Sequence, residues 1–317
     1  MWKSVQAYIQ GRSHKKNDTP CQDRTFHLKK NGVDVIALAD GAGSAKLSDQ
    51  GAEAAVTRIA EIFCEKFDEI FTNPDAADVR QDLIDEIVNR LYVLSESLDC
   101  ELPDLASTLL GVAVKDDRYI IIHIGDGVIG YYSQGELRVA SNPENGEFIN
   151  TTVFTTSPDA QNQMHLLKGN LNDIEGFVMF SDGPEKVLYN YKSQTILPSL
   201  TELMEDLQSK PENIVEADLK ETLEEIGNVS FDDCSLIAMV RTLQSEIEES
   251  CQDKLLMQEE NEPEEGDSDN VEELEDKNVN LEDDENSYIQ VSAFSRLSIV
   301  LSVAFVILIV VFWIILT

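Results

Sequence analysis

The stretch DVIALADGAGSAKLSDQG, Asp34 to Gly51, joins an apolar run to an acidic residue in a glycine turn. The run ends at Asp40-Gly41, and the segment over 47–67 that follows has apolar residues at helical spacing. We therefore predict a buried strand over 33–40 and an amphipathic helix over 47–67. Because glycine has no Cβ, the turn leaves room for backbone and solvent beside the Asp40 carboxylate.

The same arrangement recurs along the chain, where acidic residues stand at the ends of other apolar runs. These residues are Asp23, Asp126, Asp182 and the pair Asp232-Asp233. A single Asp-Gly pair is typical of an ordinary turn, but the recurrence at strand ends predicts that the carboxylates meet at one edge of the fold.

Packed carboxylates repel each other unless cations neutralise them, and oxygen ligands favour hard ions such as Mg²⁺ or Mn²⁺. Two such ions can lower the pKa of a water molecule and direct it at a phosphorus centre. The acidic residues therefore predict a metal-dependent phosphoester hydrolase.

The remaining pattern favours an α+β fold. A second helix is predicted over 76–98, and short apolar segments with tight turns follow it between 106 and 141. Such closely spaced strands are typical of an antiparallel meander. Further strands are predicted over 4–11, 175–183 and 232–241.

Six segments resemble, in order and approximate spacing, the motifs of the protein phosphatase type 2C (PPM) family: CQDR, ALADGAGS, ASTLLGVAV, IHIGDG, VMFSDG and DDCSLIAMV. The bacterial branch of that family opens with G-x-x-H…PCQD, which here matches Gly11 to His14 and Pro20 to Asp23. The resemblance covers residues 4–242. It implies a four-layer α-β-β-α sandwich that removes phosphate from phosphoserine and phosphothreonine without a covalent intermediate.

The resemblance also implies a ligand set for two Mn²⁺ or Mg²⁺ ions and a third, weaker one. Asp40 would bridge the two ions, together with the carbonyl of Gly41. Asp182 and Asp232 would complete the shell of one ion, Asp23 would fix bound water from the outer shell, and Asp126 would hold the third ion. The implied partners are phosphorylated proteins, including Ser/Thr kinases.

Several positions depart from the family pattern. Ser44 replaces a glycine of D-G-x-G-G, and Asp233 replaces the usual asparagine after Asp232. Whether Asp232 or Asp233 is the ligand stays open, although Asp232 aligns better. Asp18 stands where many members have a phosphate-binding arginine, so we predict that His14 contacts phosphate or water instead, the alternative being an ordinary surface histidine.

The composition divides the chain into three regions. Residues 1–242 form the predicted phosphatase-like domain. Residues 243–295 are predicted to be a disordered acidic linker, because 244–287 holds 19 Asp or Glu against two Lys and almost no aromatic residue. Residues 296–317 include 21 uncharged residues, long enough for a membrane helix, which predicts a C-terminal anchor with a cytoplasmic catalytic domain.

Charge and cysteine content exclude other classes of function. The formal net charge is -36, which disfavours nucleic acid as a partner because such proteins bind phosphates through Lys and Arg. The five cysteines form neither a C-x-x-C pair nor the C-x5-R loop of a thiol phosphatase. Two alternatives to a membrane-tethered phosphatase stay open: a pseudophosphatase that binds phosphoproteins without turnover, and a membrane adaptor in which the acidic linker is the working part.

Overall fold

The computed structural model of the protein describes residues 1–143 and 152–242. Its strands are Trp2–Ile9 (β1), Arg24–Lys30 (β2), Val33–Ala39 (β3), Leu109–Lys115 (β4), Arg118–Ile124 (β5), Val128–Ser133 (β6), Glu136–Ser141 (β7), His165–Asn170 (β8), Ile174–Phe180 (β9), Tyr189–Asn190 (β10), Thr195–Ile196 (β11) and Cys234–Arg241 (β12). Its α-helices are Arg12–Asn17 (α1), Ser48–Thr72 (α2), Ala76–Leu98 (α3), Ala160–Gln163 (α4), Asp182–Leu188 (α5), Ser199–Ser209 (α6) and Glu212–Gly227 (α7).

The long strands form two antiparallel sheets of five strands each. The first sheet has the order β1-β12-β9-β6-β7, and the second has the order β2-β3-β4-β5-β8. Strands β10 and β11 form a separate two-stranded hairpin. The predicted α+β class with two antiparallel sheets is confirmed.

The alternation of side chains along β3 shows how the sheets pack. Ile36 and Leu38 lie in a core between the two sheets, which they share with Phe177 of β9. Val35 and Ala37 point the other way, into a core formed with α2 and α3. A third core packs the first sheet against α6 and α7, so the layers follow the order helix, sheet, sheet, helix.

The prediction of one continuous meander between residues 106 and 141 is wrong. Strands β4 and β5 pair in the second sheet, whereas β6 and β7 pair in the first. The chain crosses from one sheet to the other at Gly125-Asp126-Gly127, between β5 and β6. Uniformly apolar strands give no sign of which sheet they join, because both of their faces are buried.

No helix within residues 1–143 and 152–242 is long and apolar enough to cross a membrane. The predicted linker over 243–295 and the predicted membrane helix over 296–317 lie outside the described residues.

Candidate metal centre

The fold brings the predicted acidic residues to one edge of the two sheets. Asp40 follows β3, Asp126 follows β5, and Asp182 begins α5 directly after β9. Asp23 precedes β2 and Asp232 precedes β12. Because β2 runs antiparallel to β3, and β12 antiparallel to β9, these starts and ends share the same edge. All four of the other acids act electrostatically on Asp40.

The backbone of Asp40 is held by the start of β4. The Asp40 N–H donates to Thr108 Oγ1 at 2.8 Å, and the Thr108 N–H donates to the Asp40 carbonyl at 2.8 Å. Gly41 forms an antiparallel bridge with Ser107, and its N–H donates to the Gln22 carbonyl at 3.2 Å. The turn that carries both predicted ligands, Asp40 and Gly41, is therefore fixed from two sides.

Burial and mutual repulsion make ionisation of these acids unfavourable. Burial, followed by the charges of Asp23 and Asp182, raises the pKa of Asp40 well above its usual range. Burial, followed by the charge of Asp232, raises the pKa of Asp182 to about 7, and burial raises the pKa of Asp23 to about 7. Divalent cations at this edge would stabilise the ionised forms.

The carboxyl groups are satisfied only in part by protein donors. Asp23 Oδ2 accepts a hydrogen bond from Ser181 Oγ at 2.7 Å. Asp23 Oδ1 and Asp182 Oδ1 are buried without a hydrogen-bond partner. Buried oxygens left in this way fit a cation, because an unpaired buried acceptor is otherwise costly.

Asp126 is hydrogen-bonded to a hydroxyl group: Thr152 Oγ1 donates to Asp126 Oδ2 at 2.7 Å. Across the described ranges, no three acidic, histidine or cysteine side chains are already arranged as a coordination shell.

The structure separates the two neighbouring acids at the start of β12. Asp232 is exposed, whereas Asp233 is 2% exposed. Asp233 accepts the N–H of Gly11 at 2.7 Å and the N–H of Gln22 at 2.6 Å. Its carboxylate is thus committed to the backbone, which favours Asp232 as the residue that can turn toward a cation.

His14 lies on α1 beside this buried carboxylate. Its Nδ1 is 2.9 Å from Asp233 Oδ2, and 15% of its side chain is exposed. The predicted contact of His14 with phosphate stays a prediction. Asp18, the residue in place of the family arginine, is exposed and ends α1 in the left-handed conformation.

Glu185 is an acidic residue of the cluster that the sequence reasoning missed. It is 3% exposed, and it accepts a hydrogen bond from the hydroxyl of Tyr191. Burial, then repulsion from Asp182 and Asp126, raises its pKa to about 7. Its position three residues after Asp182 on α5 places both side chains on one face of the helix, a spacing that could have identified it.

Comparison with known proteins decides the family. The sequence pattern of the family described as Protein phosphatase 2C matches residues 10–224, more than half of the chain. The chain belongs to the protein phosphatase 2C family. Serine/threonine-protein phosphatase 3 of Escherichia coli K12 is 28% identical over 196 residues, which are 60% of this chain and 76% of that protein.

Solved phosphatases share the fold. The serine/threonine phosphatase of S. agalactiae has a TM-score of 0.54 at 20% identity, with 76% of this chain and 100% of that one covered. The catalytic domain of the phosphatase PstP, solved with 2 manganese ions, has a TM-score of 0.52 at 15% identity and covers 76% and 99%. At these identities the structures support the fold alone. The family match and the similarity to the Escherichia coli phosphatase show that this phosphatase 2C protein is a serine/threonine protein phosphatase.

Proposed function

We propose that this phosphatase 2C protein hydrolyses phosphoserine and phosphothreonine with two divalent cations held by the acidic residues at the common sheet edge. The observation that carries the proposal is the convergence of Asp23, Asp40, Asp126, Asp182 and Asp232, with raised pKa values for the three most buried of them. The 2 manganese ions in PstP support the same choice of ligand chemistry.

Each acid has a defined part in the proposed centre. Asp40 and the Gly41 carbonyl would hold the two ions, and Asp182 and Asp232 would complete the shell of one of them. Asp23 would orient water from the outer shell, and Asp126 would hold a third, weaker ion. When bound, Mn²⁺ or Mg²⁺ would lower the pKa of a water molecule and neutralise the phosphoryl oxygens.

His14 is proposed to contact the phosphate or a bound water. It stands on α1, next to the segment that leads into Asp232, and the family arginine is absent from this chain. The proposed substrates are phosphorylated proteins, including Ser/Thr kinases. We also propose that residues 296–317 tether the enzyme to a membrane with its catalytic domain in the cytoplasm, on the strength of their uncharged sequence.

The test is hydrolysis of p-nitrophenyl phosphate and of a phosphothreonine peptide by the full chain, with and without Mn²⁺. We expect Mn²⁺-dependent activity that falls by at least about 10–100-fold in Asp40→Asn, because that change removes a carboxylate proposed to hold the ions. Asp116→Asn is the matched control. Asp116 lies in the β4–β5 turn at the opposite end of the sheet, with a φ of 53° that asparagine tolerates.

Two results would contradict the proposal. One is activity that EDTA leaves unchanged, and the other is equal activity in Asp40→Asn and Asp116→Asn. Binding of the phosphopeptide without turnover, at saturating Mn²⁺, would instead support the pseudophosphatase alternative.

A further inference from the structure

Asp233 joins three separate segments of the chain beside the candidate metal centre. Its Oδ1 accepts the N–H of Gly11, and its Oδ2 accepts both the N–H of Gln22 and the Nδ1 of His14. The carboxylate is buried, and its contacts with the N–H groups of Gly11 and Gln22 are shielded from water. The donor–acceptor distances of 2.6–2.9 Å lie within the range of hydrogen bonds.

Two of the three segments adjoin predicted metal ligands, and the third bears His14. Gln22 directly precedes Asp23, and Asp233 directly follows Asp232. Gly11 leads into α1, which bears His14. A shift of the Asp233 carboxylate would therefore move Asp23 and Asp232 relative to each other.

The segment before β12 is packed too closely to find another arrangement easily. A Cβ at Gly11 would lie 2.2 Å from the carbonyl oxygen of Asp232, and a Cβ at Gly183 would lie 1.8 Å from that of Asp233. Both distances are well below contact distance, so the backbone of this segment is clamped between two glycines. The Asp233 side chain adds hydrogen bonds with Gly11 and Gln22 to this close packing.

The N–H groups around Asp233 determine which atom donates in its hydrogen bond with His14. Since two backbone N–H groups already donate to the Asp233 carboxylate, it acts as an acceptor, and His14 must donate from a protonated Nδ1. An asparagine at position 233, the usual family residue, has one acceptor oxygen and an NH₂ group. That NH₂ group would face one of the N–H donors. The aspartate therefore matches a histidine at position 14.

We propose that His14 and Asp233 form a positioning pair, in which the His14 Nδ1–H holds the carboxylate that aligns Asp23 and Asp232 for metal binding. The pair rests on the proposed function insofar as those two acids hold cations. In this pair, His14 Nδ1 holds the Asp233 carboxylate, and this role is separate from any contact between His14 Nε2 and phosphate. Removal of such outer-shell partners typically costs about 10–100-fold in metal affinity.

His14→Asn and His14→Ala separate this role from others. The side-chain amide of asparagine places an N–H donor near the position of Nδ1 but has nothing at Nε2, whereas alanine removes both. Alanine is also the better helix former, so a loss in His14→Ala does not arise from weaker helix formation in α1. His27→Ala is the control, because His27 lies on β2, 3.9 Å from Asp34, away from the centre.

The first measurement is Mn²⁺ affinity of the full chain by titration calorimetry. We expect His14→Ala to weaken Mn²⁺ binding by about tenfold or more, and His14→Asn and His27→Ala to stay close to the wild type. The second measurement needs no metal. In EDTA, hydrogen exchange of the amides of Gly11 and Gln22 should speed up in His14→Ala and remain slow in His14→Asn.

The two measurements test the His14–Asp233 pair and the proposed metal-dependent function separately. If the wild type bound no Mn²⁺, the proposed function would fail, while hydrogen exchange would still decide whether the pair orders these segments. The positioning pair is overturned if His14→Ala matches the wild type in hydrogen exchange. It is equally overturned if His14→Asn behaves like His14→Ala, because the Nδ1 donor would then not be what matters.

Discussion

At the residue scale, the buried acids link the stability of the protein to pH and to metal. The pKa values of Asp23 and Asp182 rise from 3.8 to about 7 on folding, chiefly through burial. Between these values the folded protein binds more protons than the unfolded chain. The free energy of unfolding of the metal-free protein therefore falls as the pH rises from about 4 to about 7.

This linkage predicts a Tm that decreases with pH when metal is absent. In EDTA, we expect the Tm to fall by roughly 5–10 °C between about pH 4.5 and pH 7.5, and saturating Mn²⁺ to restore it. Asp182→Asn should flatten the dependence, since it removes one titrating acid, whereas Asp116→Asn should not. Differential scanning fluorimetry checks this, and an Asp182→Asn curve as steep as the wild type would argue against the linkage.

The positions of the acids at strand ends could be predicted from the sequence, whereas the burial of each acid could not. The acids at strand ends could be predicted because each follows or precedes an apolar run. The different environments of Asp232 and Asp233 could not be predicted, because the two residues are adjacent in sequence. The burial of Asp233 depends on contacts with the distant Gly11 and Gln22. The helical spacing of Glu185 from Asp182 was visible in the sequence, but its burial was not, because that depends on the packing of α5.

At the element scale, the start of β4 supports the end of β3. Thr108 is 2% exposed, and its hydroxyl is the acceptor for the Asp40 N–H. Thr108→Val keeps the volume and removes the acceptor, which leaves a buried N–H unpaired. Such a loss costs about 1–3 kcal/mol.

We therefore expect Thr108→Val to lower the Tm and to weaken Mn²⁺ binding, because the Asp40 backbone loses its anchor. Thr57→Val on α2, where the hydroxyl donates to the Glu53 carbonyl, should change the free energy of unfolding by no more than about 0.5 kcal/mol. Chemical denaturation and calorimetry measure both effects. Normal Mn²⁺ affinity in Thr108→Val would show that this anchor does not position the ligand.

Several elements matched their predicted positions closely. The helix predicted over 76–98 is Ala76–Leu98, and the strand predicted over 33–40 is Val33–Ala39. Both have strong periodicity or a continuous apolar run. The edge strands β2 and β8 were not predicted. Their sequences, RTFHLKK and HLLKGN, mix charged and apolar residues, so pairing with the neighbouring strand, rather than composition, sets their structure.

At the scale of the whole molecule, the described domain ends far from the candidate centre. Asp232 precedes β12, and Thr242 follows the C-terminal end of the same strand. The Thr242 N–H donates to the Met1 carbonyl at 2.8 Å. The eight residues of β12 separate these points by roughly 25 Å. The described residues therefore end, at Thr242, at the edge opposite to the acids.

Removal of residues 243–317 should accordingly leave p-nitrophenyl phosphate hydrolysis unchanged within about twofold, as expected for distant sites. The full chain should partition into membranes on cell fractionation, and the truncated chain should not. A truncated chain that is folded but inactive would favour the adaptor alternative. Equal partitioning of both chains would contradict the proposed anchor.

The central claim is that the acids at the common sheet edge hold a pair of divalent cations. Elemental analysis of the purified full chain, after dialysis against Mn²⁺ and removal of the excess, tests it most directly. We predict about two Mn²⁺ per chain in the wild type and a clear loss in Asp40→Asn, with Asp116→Asn unchanged. A wild-type chain that retains no Mn²⁺, or an Asp40→Asn chain that retains as much as the wild type, would contradict the account.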